Sequence, residues 1–582
     1  YEIHERLVGS EMCIRDSMRI ANTPTNMTLR PDRESSVDFD NTGNLYIEGD
    51  NLEVLKILRE DYLGKVKMIY IDPPYNTGND FVYEDDFSQT SGEFRGKSGM
   101  FDEDGNMILQ NYEVNSESNG RFHTDWLNMI YPRLKVARDL LTEDGVIFIS
   151  IDDNEVENLR KVCDEVFGER NFIAQLIWER AFSPKNDARF VSNSHDYVLM
   201  FTRNIDSFVI GRLDRTAEAN ARYSNPDNDP RGVWMSSDIS VKTYNAACDY
   251  PITTPSGKII EPPAGRCWSL SKKAFFERLQ DNRIWFGPNG DNTPRIKRFL
   301  SELKFDGMAP TSILFYKDVG HSQEGAQEVV SLFGDKGVFD GPKPVRLLQR
   351  LITLANLKDD SIVLDFFSGS ATTAHALMKT NLEKGTDRKF ILVQLPEKVS
   401  DKKKDQGYGT ICEIGKERIR RAGKKILEEL ATKKAENGLF DKESEPTRLD
   451  VGFRVLKLDT SNMQDVYYTP EDSSAATLFD DNVKPDRTPE DLLFQVMLEY
   501  NLPLSAKIER KTIAGKEVFS VNDDYLIACF DENVNETVIT EVAKRKPLYF
   551  IMRDSSLSSD QVADNFEQIF NAYSKDTIRR IL

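Results

Sequence analysis

Apolar and polar positions in the first part of the chain follow an order that predicts strands and helices in alternation. The strand-like NLYIEGD (44–50) is followed by NLEVLKILREDY (51–62), whose apolar positions recur at helical spacing, and then by KVKMIYIDPPYNTG (65–78). The same order recurs in HTDWLNMIYPRLKVARDLLTEDG (123–145) and VIFISID (146–152). Apolar strands that alternate with amphipathic helices predict a parallel sheet that helices cover on both faces.

The pattern returns much later in the chain, at 361–395. There SIVLDFFSGSATTAHALMK reads as a strand, a tight turn and a helix, and KFILVQL (389–395) reads as the next strand. The intervening residues 205–340 are rich in Asn, Asp, Pro and Gly and have few long periodic segments. We therefore predict one doubly wound, mostly parallel α/β sheet assembled from both blocks and interrupted by a loop-rich insertion.

The two ends of the chain have a different character. A long charged helix is predicted at 413–436, a linker at 435–447, and a separate α+β domain after it. The first seventeen residues lack the order of a signal peptide and resemble mistranslated sequencing-adapter DNA, so the expected native start is Met18. The predicted divisions are a leader (1–17), a first half-domain (18–204), an insertion (205–340), a second half-domain (341–437) and a C-terminal interaction domain (450–582).

Composition narrows the function classes. The 582 residues contain no apolar run long enough to span a membrane, and the six cysteines form no CxxC pair. This favours a cytoplasmic protein without a structural zinc site, and no metal is expected. The net charge of −20 is unusual for a protein that binds DNA, because phosphate contacts require Lys and Arg. Any DNA contact must therefore come from a local basic patch.

The sequence DPPY (72–75) is the clearest candidate for a functional site. An apolar strand ends there in an acid, two prolines and an aromatic residue, where parallel sheets bind ligands. The Asp72 carboxylate and the Pro73 carbonyl can each accept one hydrogen of an exocyclic amine, and Tyr75 can stack on the base that carries it. An acid and a turn at a strand end also occur for structural reasons alone, so a second signal is needed.

That second signal is DFFSGSATTAHA (365–376), a turn of small residues between an apolar strand and a helix. Such a turn allows the backbone to approach a ligand and directs helix N–H groups at it. The full GxGxxG of a dehydrogenase is absent, which disfavours a nicotinamide cofactor.

Taken in order, these blocks resemble the DNA amino-methyltransferase family, in particular its β class, in which the DPPY block precedes the cofactor block. The resemblance extends over nearly the whole chain and includes IEGDNLEVL, DPPYNTG, HTDWLNMIYPRL, IWFGPNG, VGHSQEG, GPKPVRLLQRLI and DFFSGSATT. The blocks are most similar to those of modification subunits of type III restriction-modification systems. The implied fold is the S-adenosylmethionine-dependent methyltransferase fold in permuted order, with a DNA target-recognition insertion.

The resemblance implies two sets of site residues. The catalytic set is Asp72, Pro73, Pro74 and Tyr75. The cofactor set, for S-adenosyl-L-methionine, is Asp50, Lys343, Pro344, Asp365, Phe367, Gly369, Ser370, Gln394 and Glu397. Asp50 is expected near the adenine, and Lys343 and Pro344 in a helix lead-in over the methionine part. The family's ribose acid aligns with Gln394, and Glu397 can compensate for its missing charge.

The implied function is methylation of adenine N6 in duplex DNA, as a homodimer that recruits a helicase-nuclease restriction subunit. Three alternatives stay open: a solitary adenine methyltransferase, a subunit that mainly confers DNA specificity, and an N4-cytosine methyltransferase. A metal nuclease is a weaker alternative, suggested only by Asp486 with Glu509, Arg510 and Lys511. His195, next to an apolar strand, is expected to be structural, since methyl transfer requires no general base.

Overall fold

The computed structural model describes most of the chain. The described residues are 18–78, 81–83, 112–114, 122–184, 186, 188–304, 307–399, 403, 407–436, 449–464, 483–556 and 560–582. The predicted leader (1–17) and nearly all of the predicted linker lie outside them. The chain forms two compact units, one from Tyr1–Gly211 with Thr311–Leu582 and the other from Arg212–Pro310.

A ten-stranded sheet forms the centre of the first unit. Its strands are β1 (Met27–Val37), β2 (Leu45–Glu48), β3 (Val66–Ile71), β4 (Leu141–Ile151), β5 (Phe172–Glu179), β6 (His195–Thr202), β7 (Ile313–Leu314), β8 (Ile362–Asp365), β9 (Lys389–Gln394) and β10 (Phe453–Thr460). The strand order is β1-β10-β2-β9-β8-β3-β4-β6-β5-β7. All strands run parallel except β1 and β6. This is the predicted mostly parallel α/β sheet.

Helices cover this sheet. They are α1 (Asn51–Tyr62), α2 (Phe122–Leu140), α3 (Val156–Cys163), α4 (Ser322–Phe333), α5 (Val345–Leu354), α6 (Thr372–Lys384) and α7 (Ile411–Glu436). Helix α1 packs against α2, and α6 packs against both α5 and α7. All six residues of β3 are buried, as expected for a parallel strand that is covered on both faces.

Pairing in the sheet joins the two sequence blocks. Strand β3, which precedes the DPPY sequence, pairs with β8, which precedes the small-residue turn. The predicted elements are therefore confirmed, with one difference in length. The helix predicted to continue to 145 ends at Leu140, because Leu141 already pairs with Val66 and starts β4.

The second unit has its own small core. Its three-stranded sheet has the order Ile284–Trp285, Arg295–Phe299, Trp234–Asp238, and two shorter strand pairs and the helix Lys272–Gln280 accompany it. The core consists of Ile239, Ile252, Trp268, Phe275, Ile284 and Phe286. The predicted insertion, 205–340, is longer than this unit, because the helices Tyr316–Val319 and α4 belong to the first unit.

The C-terminal residues also differ from their predicted organisation. Strand β10, within the segment 450–582, lies inside the large sheet between β1 and β2. The residues after it form the helix Pro489–Glu499 and a five-stranded sheet of Ile508–Ile513, Lys516–Val521, Leu526–Cys529, Tyr549–Met552 and Ile578–Ile581. Leu492, Phe494 and Phe519 belong to the same apolar core as the large sheet, so the contacts show no separate domain that begins at 450.

Candidate active site at the carboxyl edge of the sheet

Asp72 and Tyr75 lie just beyond the carboxyl end of β3. The Tyr75 hydroxyl donates a hydrogen bond of 2.9 Å to Asp72 Oδ1, so the two side chains face each other. Burial, and then the nearby Asp72 carboxylate, raise the pKa of the Tyr75 phenol, which keeps it protonated at neutral pH. An acceptor and an aromatic face thus lie together at one ligand-binding edge.

Lys343 completes this cluster, although sequence reasoning expected it near the cofactor. Its Nζ lies 2.6 Å from Asp72 Oδ2 and 3.0 Å from the Tyr75 hydroxyl oxygen. The same ammonium lies 5.1 Å from the centroid of the Tyr75 ring and 5.9 Å from that of Trp178. The side chain is 11% exposed, so this is a largely buried ion pair. Pro344, the next residue, is the N-cap of α5.

A second layer of hydrogen bonds fixes the DPPY backbone. The indole N–H of the buried Trp126, in α2, donates to the Pro74 carbonyl oxygen at 2.8 Å. Asn76 adopts a positive φ of 59° and donates to the buried Glu155 at 2.6 Å. The Pro74 carbonyl is therefore engaged within the protein.

Further charged and aromatic residues border Lys343. Asp196, at the start of β6, pairs with Arg180 at 2.9 Å. Burial raises the pKa of Asp196 to about 6, and the positive charges of Arg180 and Lys343 oppose that rise. The indole of Trp178 donates to the Gly320 carbonyl at 2.9 Å. This layer was not predicted from the sequence, because its members are far apart along the chain.

The small-residue turn follows β8 directly. Asp365 Oδ1 accepts from the Phe367 backbone N–H at 3.1 Å, and its Oδ2 accepts from the Thr373 hydroxyl at 2.5 Å. Burial raises the pKa of Asp365 to about 7. Gly369 has a φ of +50°, and a Cβ added there would lie 3.1 Å from the Phe339 ring. Ala371 also has a positive φ, 61°, at the start of α6.

Gln394 supports this turn. Its side-chain oxygen accepts from the Gly369 N–H at 2.7 Å, and its amide nitrogen donates to the Leu395 carbonyl at 3.2 Å. The amide therefore supports the turn where a ribose acid was expected. Glu397 lies three residues on and is half-buried. On the neighbouring strand Glu48 is in register with Gln394, but its carboxylate pairs with Lys416 at 2.5 Å.

Asp50 acts as the N-cap of α1. Its carboxylate accepts from two backbone N–H groups of the first helical turn, and it also lies 3.2 Å from Arg133. Arg133 is fully buried and donates to Asn51, whose amide in turn donates to the Phe366 carbonyl at 2.8 Å. This chain of contacts connects α1 and α2 to the turn after β8. The Asp50 carboxylate can thus bind a ligand only with the hydrogen-bonding capacity that the helix N-terminus and Arg133 leave unused.

Arg418, in α7, contacts the turn after β8, which sequence reasoning did not anticipate. It is fully buried, and its Nη1 donates to the Ser370 hydroxyl at 2.7 Å and to the Thr372 hydroxyl at 2.6 Å. Glu328, whose carboxylate accepts from the backbone N–H of Val345, lies 3.8 Å from Arg418 Nη2. The only sequence signal was a charged helix, which more often marks a solvated face.

Residues considered for other chemistry lie elsewhere. His195 contacts the Tyr197 hydroxyl at 3.0 Å. The residues that suggested a nuclease take part in ion pairs: Arg510 with Glu490, Lys511 with Glu509 and Asp524, and Asp486 with Arg487. Among the described residues there is no cluster of three or more His, Cys, Asp or Glu side chains suited to a metal ion. No described helix is long and apolar enough to cross a membrane.

The chain is similar in sequence to several known proteins. The Mod subunit of the type III restriction-modification enzyme StyLTI of Salmonella typhimurium is 36% identical over 432 residues, which cover 73% of this chain and 61% of the relative. The EcoPI Mod subunit of Escherichia phage P1 is 36% identical over 444 residues (70% and 66%), and the EcoP15I Mod subunit of Escherichia coli is 33% identical over 451 (70% and 67%). The chain thus spans about two thirds of the length of these relatives.

The chain also matches the model of a protein family. Residues 66–424 match the family model N6_N4_Mtase, described as DNA methylase. This range begins at β3, contains both the Asp72 cluster and the turn at Gly369, and ends within α7. The chain therefore belongs to the N6_N4_Mtase family of DNA methylases.

Proposed function

We propose that the protein transfers a methyl group from S-adenosylmethionine to the N6 amine of adenine in duplex DNA, as the modification subunit of a type III restriction-modification system. The observation that carries this proposal is the pairing of β3 with β8, which brings the Asp72 acceptor next to the turn at Gly369. The similarity to three type III Mod subunits supports the assignment to such a system.

The turn after β8 fits the cofactor. Gly369 holds a left-handed backbone and leaves a space against Phe339 that a Cβ would fill, so the backbone can approach a ligand there. Helix α6 directs its N-terminal N–H groups toward the same turn. Asp365, Phe367, Gly369 and Ser370 would line the cofactor, with Asp50, Gln394 and Glu397 at its nucleoside end. When bound, S-adenosylmethionine supplies a methyl group that its sulfonium already activates.

The DPPY residues would orient the acceptor base. Asp72 Oδ2 and the Pro73 carbonyl accept the two hydrogens of the amine, which directs the nitrogen lone pair toward the methyl group. Tyr75 stacks on the base. Since the adenine must leave the duplex, the pocket has to offset about a few kcal/mol of lost stacking and pairing. Alignment, more than acid or base strength, then accelerates the transfer.

The second compact unit is the proposed target-recognition region. It contains a cavity of about 880 Å³ that is lined by seven Lys or Arg residues and three Asp or Glu residues. Arg283 pairs with Glu302 at 2.5 Å, and Lys297 pairs with the buried Asp229 at 3.2 Å, whereas Arg298 is exposed. In a chain of net charge −20, such a local excess of positive charge suits a phosphate backbone.

The C-terminal segment is proposed to contact other protein chains. The strand Ile578–Ile581 is the edge of the five-stranded sheet, and both of its isoleucines are more than 40% exposed. An edge strand with exposed apolar side chains suits pairing with a partner. We propose a homodimer that recruits a helicase-nuclease restriction subunit. Light scattering of the chain and co-purification with a co-expressed ATPase test these two partners. A monomer that methylates efficiently and captures no ATPase would favour a solitary methyltransferase.

Methylation-sensitive sequencing of DNA from a host that expresses the gene tests the reaction itself. The proposal predicts N6-methyladenine at one short sequence, absent from a host with an empty vector. N4-methylcytosine in its place would show that the target base is cytosine and that its assignment as adenine is wrong. A protein that binds DNA at a defined site but leaves it unmodified, and that binds no S-adenosylmethionine by calorimetry, would be a specificity subunit only.

A further inference from the structure

The amine that contacts Asp72 in this structure belongs to the protein itself. Lys343 Nζ lies 2.6 Å from Asp72 Oδ2 and 3.0 Å from the Tyr75 hydroxyl oxygen. Asp72 Oδ1 is also engaged, by the Tyr75 hydroxyl at 2.9 Å. Both carboxylate oxygens thus have donors before any substrate arrives. The lysine occupies the position where a target amine would have to donate.

We propose that Lys343 is a placeholder for the target amine: its ammonium occupies the Asp72 and Tyr75 subsite in the DNA-free protein, and an adenine enters by displacing it. This inference rests on the proposed function, since it concerns the same base-binding site. The placeholder explains why a strongly charged side chain lies at a site that requires no acid or base.

The surroundings make the ammonium a good occupant. It is a hydrogen-bond donor, as the exocyclic amine of adenine is, and it lies near the aromatic rings of Tyr75 and Trp178. With 11% of its side chain exposed, Lys343 supplies a positive charge to Asp72 where water provides little solvation.

The backbone allows the lysine to leave without a change of fold. A Cβ added to Gly325, in α4, would lie 2.2 Å from the Pro342 carbonyl oxygen, so the backbone before Lys343 packs tightly there. After Lys343, the Glu328 carboxylate accepts from the backbone N–H of Val345 and anchors the start of α5. The anchored backbone carries a flexible four-carbon side chain, so rotation of that side chain alone can vacate the subsite.

Displacement also provides selectivity. A base that expels the ammonium must replace its charge-assisted hydrogen bond to Asp72, or the half-buried carboxylate keeps only the Tyr75 hydroxyl as a donor. Adenine can do so through its N6 amine. Thymine, which presents a carbonyl at the corresponding position, cannot, so an incorrectly flipped thymine would be rejected in favour of Lys343.

The test measures base flipping at the sequence found by methylation-sensitive sequencing. A duplex carries 2-aminopurine next to the target adenine, so that the target keeps its amine and the neighbour's fluorescence rises when the adenine leaves the stack. The proteins are the wild type, Lys343→Met, Lys343→Arg and, as a matched control, Lys317→Met. Lys317 is an exposed lysine on the nearby helix Tyr316–Val319.

The two Lys343 variants are expected to act in opposite directions. Lys343→Met removes the competitor, so the flipped fraction rises and the KM for DNA falls several-fold. Lys343→Arg holds Asp72 with a forked guanidinium, so the flipped fraction falls and the KM rises. Lys317→Met matches the wild type. Calorimetric Kd values for S-adenosylmethionine are measured in parallel.

Flipping by both Lys343 variants at the wild-type level would overturn the proposal. A weakened cofactor Kd with unchanged flipping would do so too, and would assign Lys343 to the cofactor. Variants that shift flipping in the same direction would show a structural effect. If the wild type methylates no DNA, the proposed function fails and the placeholder fails with it. If the wild type methylates DNA and the Lys343 variants flip the base as Lys317→Met does, only the placeholder fails.

Discussion

The Gly369→Ala substitution isolates what the turn after β8 contributes. A methyl group at this position has two costs. The first is the left-handed backbone, with a φ of +50°, and the second is a contact of 3.1 Å with the Phe339 ring. Gly385→Ala is a matched control, because Gly385 has a φ of +67° at the end of α6 and nothing within 4 Å of an added Cβ. Only the first cost applies there.

Both variants should lose stability through the left-handed backbone, and Gly369→Ala should lose more, because its methyl group also meets the Phe339 ring. The left-handed conformation costs an alanine about 1 kcal/mol after the entropy that alanine removes from the unfolded chain. For a unit of this size that corresponds to a fall in Tm of about 1 °C. Their cofactor affinities should differ. In Gly369→Ala the methyl group enters the ligand space and displaces Phe339, so we expect the Kd for S-adenosylmethionine to rise by about tenfold, or about 1.4 kcal/mol.

Calorimetric titration with S-adenosylmethionine and thermal unfolding provide the two measurements. Adding Phe339→Ala to Gly369→Ala should restore part of the stability, because it removes the ring that the methyl group meets. If Gly369→Ala bound the cofactor as tightly as Gly385→Ala does, the turn would not be the cofactor site.

Three further substitutions test other parts of the structure. Ala371→Gly replaces a residue at a φ of 61° and should change stability by less than about 1 kcal/mol and leave the cofactor Kd unchanged; a Kd raised by tenfold would show that the Ala371 methyl contacts the ligand. Burial raises the pKa of Asp365 from 3.8 to about 7, so the folded protein binds that proton more tightly than the unfolded chain does, and the free energy of unfolding falls as the pH rises between these values. In urea unfolding, Asp365→Asn should show a smaller fall over this pH range. A fall equal to that of the wild type would refute this prediction. Lys297→Met removes the lysine that pairs with Asp227 and the buried Asp229, while Asp229 keeps Arg231 at 2.8 Å. The second unit should lose about 1–3 kcal/mol, seen as faster hydrogen exchange in Arg295–Phe299; unchanged exchange would contradict this.

Much of the architecture could be predicted from the sequence because its signals are local. Helical spacing in NLEVLKILREDY predicted α1, and an apolar strand that ends in an acid predicted the position of Asp72. The pairing of β3 with β8 followed from the rule that such blocks share one sheet. The linker-like composition near 440 suggested a domain boundary, but FRVLKL after it is an apolar strand that completes the large sheet.

Contacts between distant residues could not be predicted in the same way. Lys343 contacts Asp72 across 271 positions, and no local pattern distinguishes it from a lysine that faces the cofactor. Gln394 was expected at the ribose, and no local pattern showed that its side-chain oxygen accepts from the Gly369 N–H. Arg418 belonged to a charged helix and lies fully buried against Ser370. In each case the partner depends on the three-dimensional arrangement of helices and strands.

The most direct test of the central claim is methyl transfer by Asp72→Ala. Labelled S-adenosylmethionine and duplex DNA that contains the methylated sequence are incubated with the wild type, with Asp72→Ala and with Asp360→Ala, a change at an exposed loop residue before β8. The proposal assigns the amine to Asp72 and the cofactor to the turn at Gly369. Asp72→Ala should therefore lose at least about 10²-fold in transfer rate and keep the cofactor Kd within a few-fold of the wild type, while Asp360→Ala matches the wild type in both. Near-normal transfer by Asp72→Ala with saturating cofactor would contradict the account.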